Sequence, residues 1–140
     1  MWLQKEIVLK SRNKGFHLIT DEVLLNLPEI KNLKVGIINL FLQHTSASLS
    51  LNENADPDVR TDMRKYFDKI VPENKKYFNH TLEGADDMPA HIKTSLLGIS
   101  LILPVTNGKL NLGTWQGIFL CEHRNFGGSR TLLVTINGES

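Results

Sequence analysis

Apolar residues fall into short strand-like runs broken by polar clusters, with two stretches at helical spacing. Trp2 to Lys10 mixes alternation with the β-branched pair Ile7-Val8, which predicts a first strand. Ser11 to Gly15 reads as a turn and Phe16 to Ile19 as a short second strand. Thr20-Asp21-Glu22 can open a short helix through Leu27, which Pro28 stops. Lys34 to Leu42 is a continuous apolar run, predicting a central strand covered on both faces. Strand character resumes at Ala47 to Leu51.

Asp56-Pro57 opens a helix over 56–70, because Asp caps and Pro fits the first turn. Val59, Met63, Tyr66, Phe67 and Ile70 give that helix one apolar face, and Pro72 ends it. A second helix is predicted over 87–97, with Ile92, Leu96 and Leu97 on its apolar side and Gly98 at its end. Strands follow at 99–105, 116–123 and 131–137, with Asn107-Gly108 as a hairpin turn and Leu110 to Leu112 beginning the return strand. Strands do not alternate regularly with helices. The pattern therefore predicts one α+β domain over residues 1–140, with mixed or antiparallel sheets in a sandwich-like core and two main helices.

A chain of 140 residues can bury a core without a metal or disulfide. Its net charge of +1 supplies no global field for nucleic acid or an anionic membrane. No apolar run approaches the roughly 20 residues that cross a bilayer. No signal peptide is read at the start, so the expected compartment is the cytoplasm. The single cysteine, Cys121, lies in an apolar run and reads as a buried small hydrophobe.

Three polar clusters interrupt the apolar runs at predicted element ends. The first is Gln43-His44-Thr45-Ser46, followed by Asn52 to Asp56; the second runs from Glu83 to His91; the third is Glu122-His123-Arg124. Hydroxyls such as Thr45 and Ser46 at an element's end suit an anion. Asp87 and His91 share a helical face, where a carboxylate can orient an imidazole base or metal ligand. Arg124 offers a fixed cation for phosphate. Gly127-Gly128 could present backbone amides to phosphate, or simply join two strands. His17 and His80 have no comparable company and are assigned to solvent; Trp115 is assigned to packing. Imidazoles would favour zinc or another transition metal, and carboxylates alone would favour magnesium.

His44-Thr45-Ser46-Ala47, Asn52-Glu53-Asn54-Ala55-Asp56, the Glu83-Gly84 to His91 segment, Gly113-Thr114-Trp115-Gln116 and Glu122-His123-Arg124 occur in order. Together they resemble the signature of the YjbQ family, known as secondary thiamine-phosphate synthases. The resemblance implies a homotrimer whose site, near a subunit interface, contains His44, His91 and His123 as metal ligands or catalytic groups, with Glu83 and Asp87 beside them. Thr45, Ser46, Arg124, Gly127 and Gly128 would meet a phosphorylated small molecule or inorganic anion. The implied reaction joins a pyrimidine diphosphate to a thiazole phosphate with release of pyrophosphate. The alternative is a non-catalytic metal- or anion-binding protein.

Overall fold

The computed structural model describes residues 1–140. Its elements are β1 (Trp2–Val8), β2 (Gly15–Leu18), α1 (Thr20–Leu25), a 3₁₀ helix (Pro28–Asn32), β3 (Val35–Leu42), β4 (Ala47–Glu53), α2 (Pro57–Ile70), α3 (Asp87–Leu97), β5 (Ser100–Thr106), β6 (Lys109–Leu110), β7 (Gln116–Glu122) and β8 (Thr131–Glu139). The chain is a mixed α+β fold with two antiparallel sheets. One has the order β1-β8-β3-β5-β6 and the other β2-β7-β4. No helix is long and apolar enough to cross a membrane.

Local chemistry sets the boundaries. The Asp56 carboxylate accepts from the Asp58 N–H at 2.9 Å, and Pro57 occupies the first turn of α2. Asn107 and Gly108 both have positive φ, 49° and 78°, the geometry of the tight turn between β5 and β6. The first helix stops at Leu25, short of Leu27, and Pro28 starts the 3₁₀ helix rather than merely ending α1.

The sheets face one another across the core. Ile38, Leu40, Leu42, Leu132, Val134 and Ile136 point inward from the large sheet to meet Leu49, Ile118 and Leu120 from the small one. The helices cover the other side of the small sheet. Phe67 of α2 stacks on Phe16 of β2 with centroids 6.0 Å apart, and Thr94 of α3 donates to the Ala47 carbonyl of β4.

The large sheet has no such cover. The apolar run of β3 predicts enclosure on both faces, but Val35, Ile37 and Phe41 alternate outward and are 54%, 43% and 41% exposed. Register places Ile37 beside Pro104 and Asn39 beside Ile102, and Ile102 is also exposed. The run is apolar on both faces, yet only one face meets protein within the chain.

Candidate functional site

Helix α3 begins at Asp87, and His91 follows one turn later on the same face. The loop before α3 returns His80 to the same point. His80 Nε2 lies 2.6 Å, and His91 Nε2 3.0 Å, from Asp87 Oδ2. The ligand atoms of His80, Asp87 and His91 all lie within 4.8 Å of one another.

Hydrogen bonding places a proton on Nδ1 of His91. Its Nδ1 lies 2.7 Å from the Thr45 carbonyl oxygen, which can only accept, so Nδ1 carries a proton. If Nδ1 holds the ring's one proton, Nε2 turns a lone pair toward a carboxylate oxygen. Two acceptors at 3.0 Å need a proton or a cation between them. Metal-binding histidines commonly donate their other N–H to a carbonyl in this way.

Asp87 is buried. Burial works to raise its pKa, but the His80 hydrogen bond and the charges of Arg124 and His91 together hold it below the usual carboxylate value. Arg124 Nε lies 3.3 Å from Asp87 Oδ1 without forming a hydrogen bond. Arg124 Nη2 donates to the Glu83 carbonyl at 2.6 Å, and the Asn125 N–H donates to Asp86. The segments before α3 and after β7 are thereby tied together around Asp87. Two imidazoles and one carboxylate suit zinc or iron better than magnesium, and three protein ligands leave a coordination position open.

Within one chain the ligand atoms that converge are those of His80, Asp87 and His91; of the expected trio, His44 and His91 line one cavity while His123 lies apart in the interior. His123 is only 2% exposed, lies between the small sheet and the helices, and shares a 2.8 Å hydrogen bond with Ser48 Oγ. Burial, with the nearby charges of Lys93, Arg130 and Lys14, pushes its pKa down to about 3. It is a neutral interior residue.

His44 follows β3, and its Nε2 accepts the Thr131 backbone N–H at 2.8 Å. Burial and the Arg130 charge lower its pKa. It shares an open cavity of about 430 Å³ with Thr45, His91, Thr94 and Ser95.

Ser46 is buried as a residue, and its backbone carbonyl accepts from Arg130 Nη2. Thr45 is exposed. Glu83 contributes its carbonyl rather than its carboxylate. Gly127 is required by packing, since a Cβ there would lie 2.5 Å from Glu122 Oε1 and 2.6 Å from Arg130 Nη2. These two side chains form a buried ion pair at 2.6 Å, so the loop closes over a charge pair at Gly127. Gly128 adopts φ +72° in the same loop. Burial pushes the Cys121 thiol up to about 12, in keeping with an inert core residue.

A family model described as "UPF0047 protein YjbQ-like" matches residues 5–139. The chain belongs to the YjbQ family. The "UPF0047 protein YjbQ" of Escherichia coli O157:H7 is 55% identical over 139 residues, covering 99% of this chain and 100% of its own. A crystal structure of an uncharacterized YjbQ/UPF0047 protein from Clostridium acetobutylicum superposes with a TM-score of 0.82 at 39% identity, covering 95% of this chain and 99% of that one. A conserved hypothetical protein from Thermus thermophilus gives 0.81 at 32%, covering 93% and 97%.

Within this YjbQ fold, His80 is the residue that sequence reading places in solvent. Its side chain is 45% exposed, yet its Nε2 meets Asp87. Seven residues separate it from Asp87, and no regular element spans the interval, so no periodicity pairs them. His17 does stand apart, with Nε2 2.6 Å from the Asn13 carbonyl. Trp115 is 63% exposed rather than packed within the chain.

Proposed function

We propose that this protein is a metal-dependent enzyme acting on a phosphorylated small molecule, with its centre at His80, Asp87 and His91. The reaction class is the one the family resemblance implies: union of a pyrimidine diphosphate with a thiazole phosphate and loss of pyrophosphate. The observation that supports it is the convergence of two imidazoles on one buried carboxylate, with His91 already in the tautomer a metal ligand needs. A bound zinc or iron ion would neutralise charge on the departing pyrophosphate. The chain's own residues prepare for that. Thr45 orients His91, and Arg124 stands beside Asp87. The bare apolar face of the large sheet, including Ile37 and Ile102, is proposed as the contact through which copies form a homotrimer.

The test is to strip the protein with a chelator and reload it with zinc, iron(II) or magnesium. Product and pyrophosphate are then measured with hydroxymethylpyrimidine diphosphate and thiazole phosphate. The expected result is turnover with zinc or iron, lost in Asp87→Asn together with tight metal binding. Stoichiometric metal without turnover would leave the alternative, a non-catalytic metal-binding protein. Failure to bind metal would remove both of these and leave only the anion-binding form of the alternative.

A further inference from the structure

We infer that His44 is a substrate-binding residue whose Nδ1–H donates to an anionic oxygen of the ligand in the cavity beside His91. The inference rests on the proposed centre but concerns a different contact.

A backbone N–H can only donate. Because Thr131 donates to His44 Nε2 at 2.8 Å, that nitrogen carries the lone pair and the neutral ring holds its proton on Nδ1. This excludes His44 as a metal ligand in the observed rotamer, since one nitrogen is engaged and the other is protonated. Nδ1 has no protein partner and is not among the buried atoms left without one, so it remains accessible to a ligand.

The other side-chain donors of the cavity are largely spent. Thr94 Oγ1 shares its one proton between the Ala90 and Ala47 carbonyls, Ser95 Oγ donates to the His91 carbonyl, and His91 Nδ1 to the Thr45 carbonyl. His44 Nδ1–H and the exposed Thr45 hydroxyl are left to meet a ligand. A neutral donor held by the backbone suits a phosphoryl oxygen, and it offers a cationic amine no acceptor to donate to.

The experiment uses inorganic pyrophosphate as probe, with zinc-loaded and zinc-free protein. Long-range ¹H–¹⁵N NMR of histidine-labelled protein should show His44 as the Nδ1-protonated tautomer. Its Nδ1 signal should shift as pyrophosphate is added to the zinc-loaded form. His44→Ala should weaken pyrophosphate binding by roughly tenfold, the scale of one hydrogen bond to a charged group, while leaving zinc affinity unchanged. An Nε2-protonated His44, an Nδ1 signal that stays still at saturation, or an absence of pyrophosphate binding would each overturn the inference. So would loss of zinc from His44→Ala. If zinc fails to bind the wild type, the proposed centre is wrong, but the tautomer and the zinc-free titration still judge His44. The wild-type spectra decide the matter even if the variant unfolds.

Discussion

Lowering the pH from 7.5 to 4.5 should cost the fold about 2.5 kcal/mol through His123 alone. The native chain holds this imidazole neutral, with a pKa of about 3. The unfolded chain protonates it near 6.5. Between those values the unfolded state binds a proton that the folded state refuses, so stability falls as pH falls, by about 1.4 kcal/mol per unit. The contribution is fully present above pH 6.5 and is lost progressively as pH drops toward 3. Asp68, Asp86 and Asp87 have lowered pKa values, so their contributions are lost at more acid pH. The lowered pKa of His44 adds a slope in the same window. The informative quantity is therefore the difference from His123→Gln, which can keep a hydrogen bond to Ser48 without titrating. Urea unfolding with chelator present, at pH 7.5, 6.5, 5.5 and 4.5, should show a flatter profile for the variant. Parallel profiles, or an NMR titration of native His123 near 6.5, would refute the reasoning.

Arg130→Met should destabilise by about 3–5 kcal/mol in denaturant melts, because it strands the Glu122 carboxylate in the core. Gly127→Ala should cost roughly 1–3 kcal/mol in the same melts through contact with the same pair. If the proposed trimer forms through this face, Asp substitutions at both Ile37 and Ile102 should yield monomers by sedimentation where the wild type is trimeric; a monomeric wild type or unchanged oligomers would refute the proposed contact.

Legibility in the sequence follows periodicity. Helix α3 is legible with its observed bounds, and α2 to within one residue, because Asp56-Pro57, Gly98 and the apolar stripes are local signals. Asp87 and His91 pair on paper for the same reason. Burial is less legible. His123 and Arg124 are neighbours, but only Arg124 lies beside Asp87, while His123 packs beneath α2 and α3. An isolated polar triplet does not reveal which side of a sheet each residue takes once helices cover one side. The need for glycine at 127 is illegible for a related reason, because the partner that demands it is an ion pair closed by tertiary contact.

Strand β8 lies between β1 and β3, pairing with both along most of its length. It is also made after every other strand and helix of the fold. On the ribosome, β1 and β3 must therefore wait with their pairing edges open until residues 131–139 emerge. The small sheet needs only β2, β4 and β7, all synthesised earlier. Folding during translation is thus expected to proceed from the helix-covered sheet outward, with the apolar inner face of the large sheet unprotected until its middle strand arrives.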